Sequence, residues 1–414
     1  MELNFFPILL LGILWFIGTR FWPCVHETGV TLYDRERAFD GFTLWAPLEA
    51  DNSGIEPWQR PGMVYLMNMN GDCVHSWNTP FPVCYARLEK DGHIVTGMRS
   101  GDASDPERPG IGGYPMGGAT GWLWELDWEG NTLFSHFDPC MHHDFRRLEN
   151  GNYIYLGWEK VPADLALSIR GGFSGSEHAG GVIFSDYIRE IDPSGNITWE
   201  WHATGHMDTD TDIIGPIHPR KEWSHMNNLA PMEDGNIMSS SRFLDMAFII
   251  ERATGRIVWR WGNAAFLDRK SGQVLTRFNE KTLGGPHDFS VIERGLPGEG
   301  HMLGYDNGMY TGVSRALEVD IDSGEIVWQS TDHTYRHGRH SFSAYISSAN
   351  RLSNGNTLIC EGQNGIICEL TPDRQIVWQW VRPEPSRTST VWAIFRAYRF
   401  APDYCPQLKD LCLG

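Results

Sequence analysis

The sequence predicts an all-β fold, a six-bladed β-propeller behind an N-terminal transmembrane or signal-anchor helix. Three observations carry that prediction. A hairpin ending in an aromatic residue recurs along the chain, a second hairpin follows each copy, and short Gly-rich turns alternate with long connections. The 18 Trp and 45 Gly fit many strands, tight turns and aromatic packing between sheets.

The stretch from Trp223 to Gly262 shows the unit whole. It reads as four short strands, with the turns MEDGN and ERATG placing Gly where positive φ is cheap. The runs between the turns are β-branched and aromatic enough to be strands. The aromatic-ending hairpin occurs in six copies, which end at Trp77, Phe137, Trp201, Trp261, Gln329 and Trp380. The copies are roughly 50 to 70 residues apart, the period of a propeller blade. The partner hairpin is clear in YARLEKDGHIVTGM, HHDFRRLENGNYIYLG, HMNNLAPMEDGNIMSSSR, HDFSVIERGLPGEGHMLGYDN and ISSANRLSNGNTLICEG. From Val391 to Phe400 only its first strand is recognisable. Each blade then joins the inner hairpin of one repeat to the outer hairpin of the next. The two ends of the chain close one blade together and leave no open edge. The segment Gly29 to Pro47 adds a strand near that closure.

The expected organisation is an anchor over 1–22, a linker with a closing strand over 23–60, the propeller over 61–404 and a tail over 405–414. Phe5 to Trp22 is almost wholly apolar and just long enough to span a bilayer. No basic residue precedes it and no A-x-A site follows, which argues against a cleaved signal. The expectation is an anchored propeller on the extracytoplasmic side, although Arg20 taken alone favours the opposite orientation.

The chain is acidic, with 34 Lys plus Arg against 52 Asp plus Glu and a net charge of −18. That disfavours nucleic acid as a partner. A small anionic substrate would need a locally positive pocket. None of the eight Cys forms a CxxC pair, so a zinc ribbon or redox motif is not expected. Cys405 with Cys412 and Cys73 with Cys84 are candidate local disulfides, with free buried thiols the alternative.

The turns inside hairpins are short and the connections between hairpins are long, so the long loops crowd one mouth of the ring. Loops on a rigid scaffold usually carry function. His143, His225 and His287 fall at or near the starts of inner strands, and Arg242 closes the strand after His225. Topology brings these four to the central funnel from three consecutive repeats. Imidazoles with a guanidinium suit a tetrahedral oxyanion: Arg supplies a fork of donors, one His can attack, and another can move a proton. Taken singly, each has a structural reading as a strand-end hydrogen bonder or an ion-pair partner.

Asp144 and Asp288 follow their His and should point to the other face as structural groups. His142 should point away from the funnel if His143 points in. His202, His206 and His218 lie among aspartates in one loop, but their spacing fits no metal template. No Walker loop or GxGxxG precedes a helix, so nucleotide phosphates have no cradle.

Together MHHDF, WSHMN followed by SSR, GPHDF with YDNG after it, and the closing FRAYRFAPDY resemble the bacterial PAPS-independent arylsulfate sulfotransferase family. The resemblance covers most of the chain from about Gly29 onward. It implies a six-bladed propeller that moves a sulfuryl group from an aryl sulfate to a phenol, by a ping-pong route through a sulfated histidine and without a cofactor or metal. It implies His287 as the nucleophile, His225 and Arg242 as holders of the sulfuryl oxygens, and His143 as the assisting group. Asn307 and His142 are implied as substrate contacts, and the choice between His142 and His143 for the funnel stays open.

Two other readings stand beside this one. DIDSGEIVWQ and ERATGRIVWRW look like the tryptophan-docking repeats of quinoprotein dehydrogenases, which have eight blades rather than six. A non-catalytic anchored propeller binding a sulfated or glycan ligand is the third.

Overall fold

The computed structural model describes residues 27–48, 61–99, 116–330, 341–383 and 392–413. In chain order, β1 (Gly29–Tyr33) and β2 (Phe42–Pro47) come first, then β3 (Gly62–Met67) and β4 (Cys73–Thr79). β5 (Val83–Leu88), β6 (Ile94–Arg99), β7 (Gly121–Leu126) and β8 (Thr132–Phe137) make one antiparallel sheet. β9 (Met141–Arg147), β10 (Tyr153–Lys160), β12 (Phe184–Ile191) and β13 (Ile197–His202) make the next, with β11 (Gly171–Phe173) inserted between its hairpins. After β14 (Ile214–Pro219) come β15 (Met226–Pro231), β16 (Ile237–Ser241), β17 (Met246–Ile250) and β18 (Ile257–Trp261). After the small hairpin β19 (Ala265–Asp268) and β20 (Gln273–Thr276) come β21 (His287–Val291), β22 (Met302–Asp306), β23 (Arg315–Val319) and β24 (Ile326–Gln329). The last units are β25 (Ser348–Arg351), β26 (Thr357–Glu361), β27 (Ile366–Leu370), β28 (Ile376–Val381) and β29 (Ile394–Phe400).

These strands form the expected six blades. The ring closes twice, because two N-terminal strands join C-terminal ones. β2 lies between β29 and β3, with Phe42 opposite Phe400. β1 adds a fifth strand to the outer edge of β28. That cover shows in burial: β28 is largely buried, whereas the equivalent β8 and β13 are mostly exposed. A paired edge has no free ladder groups to recruit another chain.

The inner and middle strands are buried on both faces because neighbouring blades stack against each other. Ile154, Leu156, Ile188, Met226, Leu229, Ile237 and Phe248 fill one such interface. Each such side chain contributes about 1.5–3 kcal/mol on leaving water. Tryptophans of the outer strands dock onto the next blade. Trp77 donates its indole N–H to the carbonyl of Asp127, Trp201 to Gly255, Trp261 to Gly324 and Trp378 to Met69, at 2.8 to 3.0 Å. The carbonyls all lie in outer-hairpin turns, so the repeat carries its own docking point.

The C-terminal helix Pro406–Leu413 buries Leu408 against the first and second blades. Among the described residues, no helix is long and apolar enough to cross a membrane. The expected anchor, Phe5 to Trp22, lies outside them. The suggested disulfides do not form. Cys73 is exposed while Cys84 is buried, Cys405 is buried while Cys412 is exposed, and all four are free thiols.

Candidate active site

Three bulges on inner strands build the site. Pairing of β9 with β10 jumps from Phe145 to His142, which leaves His143 and Asp144 outside the ladder. Pairing of β15 skips Asn227, and pairing of β21 skips Asp288 and Phe289. His143, His225 and Asp288 have φ of 49°, 51° and 55°. Such conformations cost about 1–3 kcal/mol each and persist where surrounding packing enforces them. A bulge re-aims a side chain, and here it defeats simple alternation. His142 and His143 do not point apart: their Nδ1 atoms lie 2.8 Å from each other.

His143 faces His225 edge-on, with ring centroids 4.7 Å apart. His225 stacks on Phe243 at 4.5 Å, and Phe243 carries His218 on its other side. Nδ1 of His225 lies 2.9 Å from Glu222, outside hydrogen-bond alignment, and the same carboxylate accepts the indole N–H of Trp158 at 3.0 Å. His287 donates from Nδ1 to the amide oxygen of Asn307 at 2.7 Å, with the carbonyl of Gly285 at 3.0 Å. Its Nε2 accepts the backbone N–H of Ile346 at 3.2 Å. That segment is strained too, since Ile346 and Ser347 have φ of 54° and 94°. Gly118 closes over His143. Its φ is +89°, and a Cβ there would stand 2.3 Å from Nε2 of that ring.

Arg242 follows β16, and its backbone N–H bonds to the carbonyl of His225. Its side chain makes no hydrogen bond or ion pair among the described residues. Burial lowers its pKa, while Asp245 and Glu222 favour its charge. Asp245 is occupied by the N–H of Gly285, His218 and the hydroxyl of Tyr310. The arrangement therefore keeps a guanidinium uncommitted beside the imidazoles. Burial pushes His287 well below the ordinary imidazole range, and Arg242 and His225 add to that shift. Burial and the neighbouring rings do the same to His143. Both are neutral bases at pH 7.

The four residues expected at the funnel thus come together. Asn307 and His142, expected as substrate contacts, are both fully buried. The amide of Asn307 is committed to His287 on one side and to the carbonyls of Ser343 and Ile346 on the other. His142 stacks on Trp158 at 4.3 Å and lies 3.1 Å from Asp186. Asp144 and Asp288 do turn from the imidazoles, into a second cluster around Arg396. His202, His206 and His218 disperse, to Glu159, Trp201 and Asp245. Asp91, His93 and Glu125 have ligand-like spacing among the described residues, but Arg147 is ion-paired to both carboxylates. Sequence reasoning missed Asp186, Glu222, Trp158 and Arg396. Only Arg396 left a signal, as one of two arginines inside the otherwise mostly apolar strand AIFRAYRF.

Solved structures resemble the fold distantly. A protein of unknown function from Bacteroides caccae is 13% identical and has a TM-score of 0.49, covering 87% of this chain and 99% of that one. Apo AztD from Citrobacter koseri is 9% identical with a TM-score of 0.41, covering 87% and 98%. A catalytically inactive virginiamycin B lyase from Staphylococcus aureus with quinupristin is 12% identical with a TM-score of 0.37, covering 84% and 91%. None of these likenesses bears on the chemistry. No curated protein matches the chain. The sequence pattern of one family does match, over residues 52–377, which takes in β3 to β27 and every residue of the imidazole cluster: the chain belongs to the arylsulfotransferase (ASST) family.

Proposed function

We propose that this propeller moves a sulfuryl group from an aryl sulfate to a phenolic acceptor through a covalent intermediate on His287, without a nucleotide. Arylsulfate sulfotransfer in general comes with membership of the family. The observation that carries the finer reading is the state of His287: a neutral ring fixed at Nδ1 by Asn307, next to the uncommitted guanidinium of Arg242.

The lone pair of His287 Nε2 attacks sulfur. The S–N bond forms, the S–O bond to the donor breaks, and the phenolate leaves. Arg242 and His225 receive charge on the sulfuryl oxygens, where it grows in the transition state. The N–H of Ile346, now on Nε2, is then aimed at a sulfuryl oxygen. In the second half the acceptor phenol loses its proton to an imidazole and its oxygen takes the sulfur. The S–N bond breaks and its pair returns to His287. Asn307 acts as a positioning residue, since its amide has no free face for substrate. The apolar run Phe5 to Trp22 would hold the propeller at a membrane, on the extracytoplasmic side.

The test incubates the chain with 4-nitrophenyl sulfate and phenol, with His287→Ala in parallel. Acceptor-dependent nitrophenolate release is expected, with an adduct of about 80 Da, the mass of SO3, on the His287 peptide. Release that persists in His287→Ala would sink the covalent route. Silence of the folded chain across a panel of donors would favour a binding propeller.

A further inference from the structure

Each of the three site imidazoles meets a different group at Nδ1. His287 meets the amide of Asn307, His225 the carboxylate of Glu222, and His143 a second imidazole, His142, at 2.8 Å. The group at one ring nitrogen decides which nitrogen carries the proton. Three different partners therefore suit three different tasks, and the mechanism above leaves the third unused.

His142 is fully buried, and stacking on Trp158 fixes its plane. Its Nε2 lies 3.1 Å from Oδ1 of Asp186, outside hydrogen-bond alignment, and neither atom has a hydrogen-bond partner among the described residues. Oδ2 of Asp186 accepts the hydroxyl of Ser224 and the N–H of Met226, so the carboxylate cannot swing away. Catalytic hydrogen bonds are often loose before substrate arrives. A carboxylate only accepts, so the proton of His142 stands on Nε2 and its Nδ1 is a lone pair. His143 must donate its Nδ1–H into that lone pair. Nε2 of His143 is then a lone pair as well, with no partner among the described residues.

We propose that Asp186, His142 and His143 form a proton relay in which Nε2 of His143 takes the phenolic proton of the acceptor. Asp186 and His142 are positioning residues, and the proposal rests on the sulfotransferase reading above. The acceptor O–H bond breaks and its proton passes to His143. The freed oxygen pair forms the O–S bond, and the S–N bond to His287 breaks with its pair returning to Nε2. Burial works against the imidazolium formed on His143, and the carboxylate at the far end of the relay offsets that. Where the leaving phenol is a weak acid, the same ring returns the proton in the first half-reaction, as microscopic reversibility requires.

Asp186→Asn is the sharpest test. Its amide oxygen can keep Ser224 and Met226, but its N–H₂ then faces His142. Every hydrogen bond in the chain reverses, and His143 is left with N–H at Nε2. Rapid mixing with 4-nitrophenyl sulfate gives the burst rate of the first half-reaction and, through its amplitude, the number of working sites. Transfer from the sulfated enzyme to a series of phenols gives the second. Per working site, the second step is expected to slow about 100-fold, more for more weakly acidic acceptors. The first step, whose leaving group needs no proton, should slow far less. His142→Gln, whose amide can accept from His143 and donate to Asp186, should keep more second-step rate than His142→Phe. Equal losses in both steps, flat across acceptors, would overturn the relay and leave the covalent route standing. No adduct on wild-type His287 would overturn the sulfotransferase reading, and the relay with it.

Discussion

His143 and Asp144 are neighbours in the chain, as are His287 and Asp288, yet they enter two clusters with opposite habits. The imidazoles gather where polar capacity is left over. Arg242 has no partner among the described residues, and Nε2 of His143 has none. The carboxylates gather where most capacity is used, although Nε of Arg396 has no hydrogen-bond partner among the described residues. Asp144 accepts from the Tyr85 hydroxyl, Arg146, Arg396 and the N–H of Leu229. Arg396, fully buried, also meets Asp288 at 3.2 Å and the carbonyl of Asn227. Burial opposes the charge of Arg396, but Asp144 and Asp288 outweigh it and raise its pKa. The second cluster ties the inner strands of five blades together. The first can be open because the second, one residue away, is closed.

Breaking the closed cluster should have the largest effect on folding. Arg396→Met takes from buried Asp288 its ion-pair partner among the described residues and from Asp144 one of two, and removal of one partner from a buried pair costs about 3–5 kcal/mol. The denaturant midpoint should fall accordingly. Arg242→Met should do the reverse, leaving the midpoint within about 0.5 kcal/mol and lowering kcat about 10² to 10³-fold. If Arg396→Met folds as well as the parent while Arg242→Met unfolds, the division between clusters is wrong.

Asn307→Ala should come next. It frees His287 Nδ1 and leaves the carbonyls of Ser343 and Ile346 without their donor. Loss of an orienting partner typically costs 10- to 100-fold in activity, by analogy with histidines held at metal sites. The unpaired carbonyls should lower stability by about 1–3 kcal/mol. Asn307 belongs to the open cluster, so kcat should fall with little change in KM. A rise in KM alone would mean that Asn307 touches substrate after all.

The open cluster was the more legible of the two in the sequence, and the reason is topological. Repeats fixed which residues start inner strands, so His143, His225, His287 and Arg242 could be placed at one mouth without knowing any contact. Closure by the ends of the chain followed from the incomplete sixth copy. What supports the site was not legible. Asp186 and Glu222 come from a third strand and a long loop, and no periodicity links them to the imidazoles they face. The contact between His142 and His143 contradicts strand alternation, because a bulge with positive φ at His143 has no signature in HHD. The same bulge sets Asp144 against Arg396, more than 250 residues later in the chain, a distance no local pattern spans.

The last effect, the smallest per pH unit, separates the clusters by pH. Burial holds His143 and His287 well below the ordinary imidazole range. In the unfolded chain both take a proton below about pH 6.5, whereas in the folded chain they do not. The unfolded state therefore binds more protons, and stability falls as pH drops through 6.5 toward the folded values, by up to about 1.4 kcal/mol per pH unit for each ring. Asp144 acts in a lower window. Burial pushes its carboxyl up, but Arg146 and Arg396 outweigh burial and hold it well below the carboxylate range. Its contribution is present above about pH 3.9 and is lost as pH falls below that value. Unfolding midpoints measured from pH 7 to 3 should thus decline in two stages. His287→Gln should make the first stage shallower, leaving the share of His143, and leave the second unchanged. The burst rate should not follow the first stage, because His287 is already neutral there. A burst that titrates near pH 6.5 in the parent, on a chain still folded, would show that the nucleophile is not shielded as its burial requires.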